Sequence, residues 1–382
     1  MDEMRRRDFL HQTALLGCSH QLAGGLRAEE KPADARIVRS KEPLNLEMPF
    51  GDLKGFITPT ALHYVRNHYP IPPIPDAYVL EVSGAVDRPL KLTLADVVKM
   101  KASTAPVTLE CAGNGRSFLP VKAKGVQWSQ GAISTAEWSG VPLADVLKLA
   151  GVKRAAVEVI LDSADKGDPK KEGQPAAPLS FSRSLPLAKA LRPEVLLAHA
   201  MNGKPLPAPH GAPLRAVVPG WYGCASVKWL TRVIVSTEPF AGFDQTIDYA
   251  FWKKGEDGLP RLTAITEMQP KVQIARPVAG SALVAGKEAR LFGAAWAGPS
   301  GVAKVEISTD AGKTWRAATL LGKAAPFCWR LWEAGWTPKE AGKAVLMARA
   351  TDGDGRTQPT AHDPARKSYV INFVQRTPVT VK

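Results

Sequence analysis

The stretch from Val107 to Arg116, V-T-L-E-C-A-G-N-G-R, constrains the fold of this chain more than any other. Its apolar and β-branched first half is typical of a buried strand, which runs directly into a turn containing Gly113 and Gly115. A cysteine between a strand and such a turn can hold its sulfur towards a ligand while the backbone approaches closely. An isolated cysteine is more often a core thiol, so this stretch alone leaves two interpretations of Cys111 open.

Four other stretches combine glycine, proline or aromatic residues with polar side chains that can bind a ligand. They are Y-V-R-N-H-Y-P-I-P from Tyr64, W-S-G-V-P-L from Trp138, H-G-A-P-L-R from His210 and V-P-G-W-Y-G-C-A-S-V-K-W-L from Val218. Together with C-A-G-N-G-R at Cys111, and in this order, they resemble the sulfite oxidase family of molybdenum enzymes. The resemblance covers about residues 45 to 375.

The resemblance implies a molybdenum ion with a single molybdopterin, and it makes the Cys111 thiolate the metal ligand. The pterin's terminal phosphate needs several charge-assisted donors that converge from separate loops. The residues that would bind the cofactor, by the same resemblance, are Arg66, Asn67, His68, Cys111, Asp162, His210, Arg215, Ser226 and Lys228.

Three residues are expected to act on the substrate: Arg66, Arg116 and Tyr249. Arginine presents a planar fork of donors that suits oxyanions, and the resemblance makes Tyr249 the active-site tyrosine. A third cation is implied near the C-terminus, where Arg366 and Lys367 both remain candidates.

The activity implied by the family is the oxidation of sulfite to sulfate. The sequence has no C-x-x-C-H, so no c-type haem is expected on this chain, and electrons would pass to a separate c-type cytochrome. Two alternatives stay open. One is a reductase of the same family acting on nitrate or a sulfoxide, and the other is a non-catalytic periplasmic anion-binding protein.

The formal net charge of +14 raises the question of nucleic acid. The basic residues are spread along the chain without a basic block or a recognisable binding module, so nucleic acid is not an expected partner. Steering of a small anion or of an acidic protein partner fits this charge better. The sequence contains no run of about 18 apolar residues, so no membrane span is expected.

The first residues, M-D-E-M-R-R-R-D-F-L, place three arginines before a mild apolar run, which is the pattern of a twin-arginine export signal. Residues 1–28 are therefore predicted to be a signal peptide that directs the folded protein to the periplasm. A merely basic, disordered N-terminus is one alternative, and a lipoprotein box at Cys18 is another.

The remaining chain is expected to divide into an extended lead-in (29–75), a catalytic domain (76–250) and a C-terminal domain (260–382). Mixed short strands and helices predict a mixed α/β molybdopterin-binding domain, and hence an α+β fold class. Beyond about Leu262 the alternation is that of strands alone, which resembles an immunoglobulin-like sandwich. The family uses this domain for dimerisation, so a homodimer is implied.

Overall fold

The computed structural model describes residues 35–168 and 178–382. The predicted signal peptide (1–28) and the first part of the lead-in (29–34) lie outside the described residues. Among the described residues, no helix has both the length and the apolar character needed to cross a lipid bilayer.

The elements are given in chain order. The first fourteen strands are β1 (Ile37–Ser40), β2 (Asn45–Glu47), β3 (Val79–Gly84), β4 (Leu90–Thr93), β5 (Ser103–Glu110), β6 (Ile133–Pro142), β7 (Glu158–Gly167), β8 (Leu179–Pro186), β9 (Leu196–Met201), β10 (Lys204–Pro205), β11 (Arg215–Val217), β12 (Leu230–Ser236), β13 (Ala250–Lys254) and β14 (Pro260–Ala264). The C-terminal strands are β15 (Lys271–Arg276), β16 (Ala282–Leu283), β17 (Ala289–Trp296), β18 (Val302–Ser308), β19 (Arg316–Ala317), β20 (Thr319–Leu320), β21 (Arg330–Trp336), β22 (Gly342–Asp352) and β23 (Arg376–Val381). The α-helices of the described residues are α1 (Leu94–Lys99), α2 (Leu143–Ala150) and α3 (Leu187–Ala190).

The protein is mostly β, and the expectation of a mixed α/β catalytic domain gave too much weight to the helices. The three helices have six, eight and four residues. Local signals limit them, because Thr93 starts α1 with a capping box and Gly151, with φ of 72°, ends α2 after two turns. The helices bridge consecutive strands, and α2 also buries one apolar face in the largest core.

Two five-stranded sheets make up most of the first two thirds of the chain. One has the order β4-β3-β12-β7-β8, and in the other β10-β9-β6-β5 is joined by β11, which pairs with β9. Strand β5 pairs antiparallel with β6 as far as Glu110 opposite Ile133, and the Cys111 amide adds one more bond to the Ala132 carbonyl at 2.9 Å. The sheet thus fixes where the Cys111 turn starts.

The C-terminal part forms a four-stranded sheet, β15-β17-β21-β20, and a five-stranded sheet, β16-β23-β22-β18-β19. Buried apolar residues of both sheets, such as Leu291 and Leu346, share one core. The largest core of the molecule reaches across the chain, since it contains both Val82 of β3 and Trp296 of β17. The C-terminal sheets are therefore packed directly against the part of the chain that carries Cys111.

Candidate active site

One cavity brings together most of the residues singled out by the sequence. Its lining includes nine of the expected site residues: Arg66, Asn67, His68, Cys111, His210, Arg215, Ser226, Lys228 and Tyr249. They come from separate loops and strand ends, as a site for a polyanionic ligand requires.

A second, outer pocket adjoins this cavity. Cys111, Arg66, His68 and Tyr249 line both spaces, whereas Arg116 lines only the outer one. Cys111 therefore lies where the cavity and the outer pocket meet. Such a position allows one ligand to be held inside while a smaller one approaches from the other side.

The turn after Cys111 is tightly hydrogen-bonded. Asn114 donates its amide to the Cys111 carbonyl at 2.8 Å, and Arg116 donates its amide to the Gly113 carbonyl at 3.1 Å. Gly115 has φ of 94°, a left-handed conformation that glycine adopts without steric cost. The sequence C-A-G-N-G-R therefore folds locally into a compact turn with a fixed cysteine.

The inner end of the cavity is rich in buried donors. Arg215 donates to the His210 carbonyl at 2.9 Å and to the Ser226 carbonyl at 3.0 Å, and Lys228 donates to the Pro209 carbonyl at 2.9 Å. Burial lowers the pKa of Arg215 to about 10 and holds the pKa of Lys228 well below its ordinary value. Two buried cations with depressed pKa values indicate a site that an anion would stabilise.

Two further polar atoms at this cavity have no hydrogen-bond partner. They are Nε2 of His63 and Nδ2 of Asn67, both buried and both on residues that line the cavity. Nδ2 of Asn67 is a donor, whereas Nε2 of His63 is an acceptor, because the neutral ring donates from Nδ1 to the Tyr64 carbonyl. A buried polar atom without a partner is unfavourable, so its presence indicates a place for a ligand group. With the thiol of Cys111 at the other end, this donor set fits a molybdopterin, whose phosphate is anionic and whose metal takes a sulfur ligand.

His68 and Tyr249 form a pair at the boundary of the two spaces. Nε2 of His68 lies 2.5 Å from the Tyr249 hydroxyl, and the two rings meet edge to face. Burial raises the pKa of Tyr249 well above its ordinary value. The phenol therefore keeps its proton at neutral pH and can donate a hydrogen bond to an anion.

Arg116 is fixed on the outer side of the turn. Its guanidinium donates to the Val126 carbonyl at 2.8 Å and to the Ser368 carbonyl at 3.2 Å. A Cβ at Gly113 would lie 2.3 Å from its Nη2, and a Cβ at Gly125 would lie 2.6 Å from its Nη1. The two glycines thus leave room for the guanidinium to reach the outer pocket.

The C-terminal cation at the outer pocket is Lys367 and not Arg366. Lys367 is part of its lining, and so is the neighbouring Tyr369. The Arg366 guanidinium instead donates to Asn372 at 3.1 Å and pairs with Asp363 at 3.5 Å.

Asp162 does not take the place in the site that was expected. It is absent from the lining of both spaces, and its carboxylate accepts hydrogen bonds from Arg232 at 2.9 Å and Ser180 at 2.6 Å. The physical reason is an irregularity in the pairing of β7 with β8 between Asp162 and Lys166. Within this irregular stretch, Asp165 lines the cavity instead.

Sequence reasoning missed several residues that line the cavity: His63, Tyr64, Asp165, Cys224 and Trp229. Tyr64 and Cys224 lie inside the quoted motifs, so their neighbours gave a usable signal. His63 gave none, because a lone histidine before an apolar pair is ordinarily a packed side chain.

Comparisons with known proteins agree with this site. Residues 68–244 match the model of an oxidoreductase molybdopterin binding domain, and residues 262–381 match that of a Mo-co oxidoreductase dimerisation domain. Sulfite oxidase of Gallus gallus is 38% identical, the match covering 86% of this chain and 73% of that protein. Mitochondrial sulfite oxidase of Homo sapiens is 37% identical, covering 86% and 62%. Nitrate reductase [NADPH] of Fusarium oxysporum is 31% identical, covering 85% and 41%.

A solved structure is similar over nearly the whole chain. It is the sulfane dehydrogenase SoxCD from Paracoccus pantotrophus, with a TM-score of 0.77 and 28% sequence identity, covering 94% of this chain and 92% of that one. The chain belongs to the sulfite oxidase family of molybdenum-pterin oxidoreductases, which confirms the resemblance seen in the sequence. It spans about 62% of the length of the mammalian sulfite oxidases that it matches.

Proposed function

We propose that this chain is a molybdenum enzyme that oxidises sulfite to sulfate and passes the electrons to a separate c-type cytochrome. The observation that carries the proposal is the position of Cys111, which lines both the donor-rich cavity and the outer pocket. Sulfite oxidase relatives at 37% to 38% identity support the choice of substrate.

The cavity residues would hold the cofactor. His210, Arg215, Ser226 and Lys228 would bind the terminal phosphate of molybdopterin, and Cys111 would bind the molybdenum through its thiolate. When bound, this cofactor supplies the redox centre at which an oxygen atom is transferred.

The residues of the outer pocket would bind and orient the anion. Arg66 and Arg116 line this pocket together with Cys111, and Lys367 of the C-terminal part lines it too. The Tyr249 phenol, kept protonated by burial, would donate a hydrogen bond to a substrate oxygen. Acidic residues also line this pocket, Asp244 and Asp248 among them, so the pocket carries charges of both signs.

Two other substrates follow from particular relatives. Nitrate reductases share 31% to 34% identity with this chain, and the similar solved structure is a sulfane dehydrogenase. Nitrate would use the same cations as sulfite, since both anions present similar oxygen edges. A sulfane substrate would instead place a sulfur atom towards Cys111.

The test is a turnover assay of the molybdenum-loaded protein. Sulfite with ferricyanide or cytochrome c should give sulfate, whereas nitrate with a reduced dye and an alkyl persulfide with ferricyanide should turn over much more slowly. The Cys111→Ser variant should fold, because the turn keeps its glycines, and should lose its sulfite oxidation activity. Full activity in that variant, or a preference for nitrate or persulfide, would reject the proposal.

We also propose an exported homodimer. The dimerisation-domain match supports the dimer, and the two C-terminal sheets that share one core support an immunoglobulin-like sandwich. Export rests on the arginines at positions 5 to 7 alone. Replacing all three by lysine should leave the protein in the cytoplasm, as cell fractionation would show.

A further inference from the structure

A buried charge network lies directly behind the Cys111 turn. Nζ of Lys271 donates to Oε1 of Glu110 at 2.9 Å, and Nε1 of Trp296 donates to Oε2 of the same carboxylate at 2.8 Å. The side chains of Lys271 and Glu110 are 2% and 1% exposed. Solvent therefore does not screen this ion pair.

The network joins the two matched domains. Glu110 lies at the end of β5 in the molybdopterin-binding part, whereas Lys271 and Trp296 lie on β15 and β17 of the C-terminal part. Lys271 and Trp296 are directly opposite each other in the pairing of these two strands, so their side chains share one face of the sheet. That face presents both donors to the residue that precedes the cysteine.

Lys271 also binds the turn itself. Its ammonium donates to the Asn114 carbonyl at 2.9 Å, and the Asn114 side chain donates to Glu110 at 3.0 Å. Oδ1 of Asn114 accepts from the Ala132 amide at 3.1 Å. Lys271 thus holds the residues on both sides of Cys111, at positions 110 and 114.

A buried ion pair is a poor source of stability, because desolvation offsets most of the attraction between the charges. Its fixed geometry is a better reason for its presence here. We propose that Lys271 is a positioning residue through which the C-terminal domain fixes the Cys111 turn, so that the sulfur lies between the cavity and the outer pocket. The proposal rests on the proposed function in taking Cys111 as the metal ligand.

The experiment compares three variants of the full chain with the parent. Lys271→Met removes the ammonium and leaves Glu110 buried without its cation. Lys271→Met with Glu110→Gln removes both charges. Arg290→Met is the control, because it removes an ion pair to Glu333 on the same C-terminal sheet. The side chains of Arg290 and Glu333 are 62% and 37% exposed, so this pair is screened by solvent.

Three quantities are measured: the thermal midpoint, the molybdenum content of the loaded protein, and the alkylation rate of Cys111 in cofactor-free protein, resolved by peptide mass spectrometry. Lys271→Met should lower the midpoint and raise the alkylation rate by about tenfold, since the turn opens more often. In the double variant the midpoint should recover, while alkylation stays fast and molybdenum content stays low. Arg290→Met should match the parent.

Alkylation that follows the thermal midpoint across all variants would mean that Lys271 is merely structural and would overturn the proposal. Unchanged alkylation and molybdenum content in Lys271→Met would do the same. Failure of the proposed function is recognised separately, because Cys111→Ser would then keep full sulfite oxidation whatever the Lys271 variants do.

Discussion

At the scale of single residues, the position of a charge relative to the outer pocket decides its role. Arg366 and Lys367 are neighbours with the same charge, yet only Lys367 lines the pocket. Its backbone explains the difference, because φ at Lys367 is 54° and the following chain turns away from the short helix of residues 364 to 366. The two residues therefore form a natural pair for mutation.

We predict that Lys367→Met raises KM for sulfite by about tenfold, because a charge-assisted contact to the anion is lost, worth about 1.5 kcal/mol. Steady-state kinetics of the loaded enzyme measure this. Arg366→Met is the control and should leave KM unchanged, since that guanidinium binds Asn372 and Asp363. Equal effects of the two changes would contradict the assignment of Lys367.

His63 should make the stability depend on pH. Burial lowers its pKa from 6.5 to about 3, and the neighbouring Arg215, Arg36 and Lys228 act in the same direction. Between these two pH values the unfolded chain binds a proton at His63 and the folded protein does not. The free energy of unfolding therefore falls as pH drops from 6.5 towards 3, and His63 contributes no slope above about pH 7.5.

The measurement is urea unfolding of cofactor-free parent and His63→Phe at pH 8, 7.5, 7 and 5. Between pH 7 and 5 the variant should lose about 2 kcal/mol less than the parent. Both should behave alike between pH 8 and 7.5, which serves as the internal control. His210 contacts the His63 ring, and burial together with His63 lowers the His210 pKa, so His210→Phe is measured alone and with His63→Phe to separate the two contributions.

At the scale of elements, the turn after β5 works together with the loop at residues 123 to 127. The guanidinium of Arg116 passes between Gly113 and Gly125 and is held by the Val126 carbonyl. Gly125, the residue before Val126, has φ of 105°, a backbone conformation that favours glycine. The position of Arg116 thus depends on Gly125, a glycine that lies outside the C-A-G-N-G-R motif.

We predict that Gly125→Ala raises KM for sulfite by about tenfold, because the new Cβ displaces Arg116 from a charge-assisted contact. The matched control is Gly203→Ala. Gly203 also has a positive φ, 73°, but a Cβ there meets nothing within 4 Å. The control should lose stability through backbone strain alone and keep its KM, so a raised KM in both variants would contradict this account.

At the scale of the whole molecule, the net charge of +14 bears on the electron acceptor. An acidic cytochrome would be attracted over distances comparable to the Debye length, which contracts from roughly 20 to 7 Å as salt rises from about 20 to 200 mM. The second-order rate of electron transfer should therefore fall over this range. Stopped-flow reduction of candidate cytochromes by sulfite-reduced enzyme measures it.

An uncharged acceptor such as a small quinone provides the control, because its rate should not change with salt. Consumption of oxygen with stoichiometric peroxide, and no reduction of any cytochrome, would contradict the cytochrome proposal and indicate an oxidase.

The sequence by itself was enough to predict the family, the Cys111 turn and nine of the residues that line the cavity. The Cys111 turn depends on residues close together in the chain, and the family and the cavity residues were recognised from short motifs that occur in a set order. The tertiary structure alone decided that Asp165 and not Asp162 lines the cavity, since a pairing irregularity between two strands moves one of them. It alone also brought Lys271 to Glu110 across 161 residues of chain. Contacts of this kind follow from how sheets pack against one another, and the packing depends on the shape of the whole core, which no short stretch of sequence specifies.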